Sequence, residues 1–139
     1  MERVAAFLLL AVTLCAQEWA LITRADSPLA ALDAAQIRDI YLGKMHYVDS
    51  VRVYPLQPEA DDPLRRQFER EMLGLSRAAL REWWIRRHYL GQRPPKVMGS
   101  AEAVVAYVRQ VEGAVGYVPY RLASDANVTV LFHDAGAGR

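Results

Sequence analysis

GAVGYVPY, residues 113–120, decides how this chain folds. Its centre, Ala114–Val118, is a short apolar run, the composition of a strand buried on both faces. Gly113 precedes it where a helix has to end, and glycine enters the left-handed helix-ending conformation without a Cβ penalty. Gly116 stands inside the run. A glycine there weakens a strand unless a neighbouring element needs the room that a side chain would fill. The phrase therefore reads as helix end, buried strand and close packing. Two earlier phrases are built alike: IYLGK at Ile40–Lys44 and EWWIRRHYLGQRPP at Glu82–Pro95. Each sets aromatic or apolar anchors beside a glycine.

Elements can be read outward from these phrases. Ahead of IYLGK, Asp33 with Gln36 three residues on has the form of a capping box. It predicts a helix with Ile37, Ile40 and Tyr41 on one face and Gly43 at its end. Trp19–Thr23 reads as a strand, followed by a loop with Asp26, Ser27 and Pro28. Val51–Leu56 alternates and reads as one strand, with Pro55 marking an edge or a strand end. Asp62 then caps a helix whose first position suits Pro63. Leu64, Phe68 and Met72 recur along it, and Gly74 ends it. Ser76 caps the next helix, with Leu80, Trp83 and Trp84 as its inner face. Arg93-Pro94-Pro95 is held extended by proline geometry. Ser100 opens a fourth helix with Val104, Val105, Val108 and Val111 inward, and Gly113 ends it. Val128–Phe132 is the last strand, and Asp134–Arg139 reads as a frayed tail. Alternating strands and helices of this kind predict an α/β domain with helices packed on a mostly parallel sheet.

Composition narrows the function classes. At 139 residues and 53% apolar, the chain is long enough to bury one core and too apolar to be disordered. A formal net charge of +1 gives no general attraction to nucleic acid. The basic group Arg77, Arg81, Arg86, Arg87, Arg93 and Lys96 interleaves with aromatics, but helical geometry turns the tryptophans inward and the arginines elsewhere. A protein-binding patch is expected only if Trp83 proves exposed.

The first residues differ from the rest. Met1-Glu2-Arg3 leads into an apolar run from Val4 to Ala16, the layout of a signal peptide. Residues 1–16 are expected to be a leader and 17–139 the mature domain, placed in the periplasm or secreted. The alternative is a hydrophobic helix docked on the core. Cys15 is the only cysteine, and Leu14 before it does not suit lipidation. Cleavage after Ala16 leaves no thiol, so disulfides, thiol catalysis and cysteine-bound metals drop out. No later stretch is long enough to span a bilayer.

The three phrases, in this order and covering most of the chain, resemble the substrate-binding proteins of phosphate-type ABC transporters. Members of that family carry a phrase like IFLGK, an aromatic helix ending in Gly and Pro-Pro, and GAIGYV. The resemblance implies a single lobe of a type 2 periplasmic-binding-protein-like fold, an oxyanion ligand, an ABC permease partner and no catalysis or cofactor. Larger members hold phosphate with an Arg-Ser-x-Gly-Ser-Gly-Thr-like phrase between a strand and a helix. The matching stretch here, LQPEADDPLRRQF at 56–68, has no serine, threonine or glycine. Its acids, Glu59, Asp61 and Asp62, each stabilise a helix N-terminus by about 0.3–1 kcal/mol and repel phosphate on the same grounds. Such a chain is expected either to bind a solute elsewhere or to serve as an envelope protein-interaction or sensory module.

The other candidate for an anion is the end of the first strand, Thr23 and Arg24 with Ser27. Its hydroxyls and guanidinium are the donor types that oxyanions need, and an ordinary polar loop is the alternative reading. Arg65 and Arg66 are expected to pair locally with acids such as Glu69. His46, His88 and His133 show no metal-ligand spacing, and His88 is expected packed or half-exposed. Asp61-Asp62 reads as a cap, not as a general acid and base.

Overall fold

In a computed structural model, residues 16–134 are described; the expected leader through Cys15 and the tail beyond Asp134 lie outside them. A five-stranded sheet runs in the order β5-β4-β6-β1-β7. Its strands are β1 (Trp19–Arg24), β4 (Tyr54–Gln57), β5 (Lys96–Val97), β6 (Ala114–Pro119) and β7 (Val128–Asp134). A separate hairpin joins β2 (Tyr47–Val48) to β3 (Val51–Arg52). The helices are α1 (Ala34–Tyr41), α2 (Pro63–Phe68), α3 (Arg77–His88), α4 (Ala101–Gln110) and α5 (Tyr120–Asp125). The α/β class expected from the sequence holds. The β5-β4-β6 half of the sheet is parallel, whereas β1 pairs antiparallel with both β6 and β7.

Both faces of the sheet are covered, which is why β1 and β6 read as apolar runs without alternation. Trp19 and Leu21 of β1 join Val115 and Tyr117 of β6 on one face, against Ile37, Ile40, Tyr41, Phe68 and Met72. Ala20 and Ile22 join Ala114 and Val118 on the other, against Val104, Val108 and Ala123. Burying an aliphatic or aromatic side chain of this size contributes about 1.5–3 kcal/mol. Gly116 is the point of closest packing. A Cβ there would lie 2.6 Å from Cγ1 of Val104 and 3.3 Å from Cβ of Leu56. The missing side chain lets α4 lie directly on the sheet. Gly113 is required for a different reason: its φ is +82°, and a Cβ would lie 1.9 Å from the carbonyl oxygen of Arg52.

Helix starts follow the sequence. The Asp33–Gln36 capping box is complete, with Gln36 N–H donating to Asp33 Oδ1 at 2.8 Å and Asp33 N–H donating to Gln36 Oε1 at 3.0 Å. Asp62, Ser76 and Ser100 cap α2, α3 and α4. Beyond Phe68 the chain widens into a π-helical turn over Glu69–Leu73 before Gly74 ends it.

Several expectations are corrected. Val51–Leu56 is not one strand. Asp49 and Ser50, at φ 46° and 68°, turn β2 into β3, and Val53 N–H donates to the His46 carbonyl at 2.9 Å before β4 begins. Pro55 precedes the residues of β4 that pair with β5, so it has a ladder neighbour only on the β6 side. In α3 only Leu80 is buried, while Trp83 and Trp84 are half-buried and His88 is exposed. The reason is that α3 lies against the end of α1 instead of the sheet. Trp83 Nε1 donates to the Leu42 carbonyl at 2.9 Å, and the Trp84 ring rests against Gly43. Helix α5, strand β5 and the 3-10 turn Pro28–Ala31 were not expected from the sequence.

Candidate functional site

Parallel strands in an open α/β sheet direct their carboxyl ends, and the helices that follow, toward the place where ligands bind. Here β4 and β6 end at Gln57 and Pro119, and α2 and α4 begin beside them at their caps Asp62 and Ser100. A small cleft of about 110 Å³ lies at this edge, lined by Gln17, Glu59, Asp62, Gly99 and Ser100 among others. No lysine, arginine or histidine lines it. Asp62 already accepts the Leu64 N–H at 2.9 Å, so its carboxylate takes the place that an anion would have at that helix start. The acidic stretch thus sits where the sequence placed it, and Ser100, unremarked in the sequence except as a cap, stands on the far wall of the same cleft.

Thr23, Arg24 and Ser27 lie elsewhere. Because β1 runs antiparallel to β6, Thr23 faces Val115 while Trp19 faces Pro119. The end of β1 is therefore at the opposite edge of the sheet from that cleft. The Thr23 hydroxyl, fully buried, donates to the Ala114 carbonyl at 3.0 Å. Arg24 pairs with Asp26 at 3.0 Å, and Ser27 Oγ accepts the Leu29 N–H at 3.1 Å. All three are engaged by their own surroundings.

A larger cleft, about 280 Å³, opens beneath α3. Its floor is aromatic: Phe68 and Tyr117 stack with centroids 3.9 Å apart and planes 6° apart, and Tyr41 tilts against Phe68 at 4.7 Å. Leu80, Trp84, Pro94 and Pro95 make its walls. Arg65, Arg77 and Arg81 stand at it with a single acid, Glu69. Glu69 is buried and shared: Arg65 Nε lies 3.2 Å from one carboxylate oxygen and Arg77 Nε 3.5 Å from the other. The local pairing of Arg65 with Glu69 is the one the sequence indicated. Gln57, buried at the end of β4, donates to the Pro95 carbonyl at 3.0 Å and fixes the Pro-Pro wall.

Two phenols in the floor differ. The Tyr41 hydroxyl donates to the Leu56 carbonyl at 2.9 Å, and burial holds its pKa well above the ordinary phenol value. Burial also pushes the Tyr117 phenol far up, with Arg65 drawing it back and Glu69 raising it further. Unlike Tyr41, Tyr117 has a hydroxyl with no hydrogen-bond partner among the described residues, though the side chain is 1% exposed and lines both clefts. Sequence reasoning treated Tyr117 only as strand filling. Its context of a strand end beside two arginines is visible only in three dimensions. Among the described residues, no group of histidine, cysteine and carboxylates could hold a metal. His133 instead contacts Glu18 at 2.6 Å and stacks on Tyr120.

This arrangement, a sheet covered on both faces with helix starts gathered at the ends of its parallel strands, is a fold shared with solved structures of transport receptors. The solved structures that share it include a phosphate ABC transporter substrate-binding protein from Clostridium perfringens with bound phosphate, at TM-score 0.65 and 21% identity over 83% of this chain. An ABC-type phosphate transport receptor from Vibrio cholerae matches at TM-score 0.64 and 18% identity over the same share. This chain spans 45% of the length of each. At such identities the likeness is one of fold. No family profile and no curated protein matches the sequence.

Proposed function

We propose that the chain is an exported, non-catalytic binding module of the phosphate-receptor type, whose ligand is a small oxyanion solute such as phosphate and whose partner is an ABC permease. The observation that carries this reading is the fold, shared over 83% of the chain with two phosphate transport receptors. The described residues form one lobe, across 45% of the receptors' length, and a single lobe encloses a solute only with a second lobe, a second copy or the partner protein as the other jaw. Export rests on the apolar leader Val4–Ala16, and among the described residues no helix is long and apolar enough to cross a membrane. Thr23, Arg24 and Ser27 remain the donors proposed from the sequence, and binding there requires them to exchange their present partners for the ligand.

The test is a thermal-shift and calorimetric titration of the full chain with phosphate, sulfate and related oxyanions. A saturable rise in melting temperature at or below millimolar concentration is expected, because a ligand at 100 times its Kd stabilises by about 2.7 kcal/mol. No response at millimolar concentration refutes the solute reading. The alternative, an envelope interaction module that binds no solute, draws on one observation: α3 and its end leave Ile85, Tyr89 and Leu90 exposed, the last two at 85% and 75%.

A further inference from the structure

We infer that the cleft beneath α3 binds a small organic anion, its apolar body on the Phe68–Tyr117 floor and its charged head between the Tyr117 hydroxyl and Arg81. The first ground is the unused donor. The Tyr117 residue is 1% exposed, yet its hydroxyl is not sealed in the core: among the described residues the wholly buried side-chain polar atom without a partner is Arg87 Nε, so the phenol oxygen reaches cleft space, where water or a ligand can meet it. Tyr41, beside it on the same floor, shows what satisfaction looks like here. The Tyr117 side chain lines a cleft large enough to hold a ligand, and a ligand acceptor supplies the missing bond.

The second ground is charge. Arg65, Arg77 and Arg81 line the cleft against Glu69 alone, which leaves positive charge in excess. Arg65 and Arg77 spend their Nε groups on Glu69, and Arg77 also donates to the Ala60 carbonyl. Arg81 has no ion pair or hydrogen bond among the described residues and projects from α3 beside the cleft. Guanidinium groups bind carboxylate or phosphate through paired N–H donors, so this free fork selects an anion. The third ground is the lining. Tyr41, Phe68, Leu80, Trp84 and the two prolines would be wasted on a bare inorganic ion, and an aromatic ring or branched chain suits them. At about 280 Å³ the cleft is near the lower end of ligand-site sizes, which limits the body to about one ring. Carboxylate and phosphate monoester heads share this chemistry. The strand-end cleft, acidic and without cations, does not.

The experiment titrates the full chain with benzoate, phenyl phosphate and inorganic phosphate, following melting temperature and the fluorescence of the tryptophans, one of which walls the cleft. Arg81→Gln and Tyr117→Phe are compared with the parent; the second removes one oxygen and keeps the stack. Benzoate or phenyl phosphate is expected to raise the parent's melting temperature. Each variant should weaken that response about tenfold, as loss of a hydrogen bond to a charged group does. No response to either organic anion, or a response retained in full by either variant, overturns the inference. If Tyr117→Phe does not fold, the exposed Arg81→Gln decides alone. The inference deepens the binding role proposed above, and the two fail separately. A response to inorganic phosphate alone that ignores both substitutions defeats this site and keeps the phosphate reading. A response to the organic anions without one to phosphate does the reverse.

Discussion

Adding a methyl group at Gly116 tests whether α4 is seated on the sheet as described. The new Cβ would lie 2.6 Å from Cγ1 of Val104 and 3.3 Å from Cβ of Leu56. Relaxed carbon contacts need about 3.5–4.0 Å, so Val104 or its helix must retreat by about 1 Å. Val104 and Leu56 are both buried and have nowhere open to go. Overpacking of this kind costs about 1–3 kcal/mol. Val104→Ala alone deletes both valine methyls, a loss of about 1.6 kcal/mol at about 0.8 kcal/mol each before any cavity cost. When Gly116→Ala and Val104→Ala are combined, the methyl added on β6 enters the space that Cγ1 vacated. The clash disappears and part of the cavity fills. The two changes together should therefore cost at least about 1 kcal/mol less than the sum of the two singles. Urea unfolding of the four proteins, with one common slope, measures the cycle. If the costs add to within about 0.5 kcal/mol, the contact is absent and the account of α4 packing is wrong.

Two further outcomes follow from local chemistry. Asp33→Ala removes the carboxylate that accepts the Gln36 N–H, leaves the reciprocal bond from the backbone N–H of residue 33 to Gln36 in place, and should cost about 0.5–2 kcal/mol, whereas Asp33→Asn keeps an acceptor and should cost much less; urea midpoints of the two separate them. The buried phenols make the fold sensitive to alkali. Tyr41 and Tyr117 titrate higher in the folded chain than in the unfolded one, where a phenol loses its proton near pH 10. Above that pH the folded state holds more protons, so stability is full below about pH 10 and falls as pH rises past it. Unfolding midpoints measured from about pH 8 to about pH 11.5 should show that decline, and Tyr117→Phe should flatten it; an unchanged slope would mean that the ring is not buried.

The parts of the fold that the sequence disclosed are those governed by local rules. Asp33 with Gln36, Asp62 with Pro63, and Ser76 and Ser100 are chain-local devices, and each stands at the helix start it indicated. Gly116 was legible because a glycine inside an apolar strand has few other uses. What escaped depends on distant partners. The Asp49-Ser50 turn lacks the Asn-Gly pattern that announces a tight hairpin, so β3 and β4 merged into one expected strand. The reading of α3 erred because aromatic spacing shows which residues share a face but not how much surface waits to receive them. Trp83 and Trp84 meet the end of α1, which is too small to bury both. The acidic strand end could be read because its charges are nearly consecutive. The cleft beneath α3 could not, because Arg65, Arg81 and Tyr117 come from α2, α3 and β6.

The position of β1 bears on how the molecule is made. It is the first strand of the described residues, and it lies between β6 and β7, the last two. Trp19–Arg24 has no ladder partner until residues 114–134 have left the ribosome. The sheet cannot close from its beginning, and an apolar strand waits unpaired while the rest of the lobe is synthesised. Contacts this far apart in sequence slow folding, because the loop must close before it is rewarded. A waiting strand of this kind is an aggregation hazard.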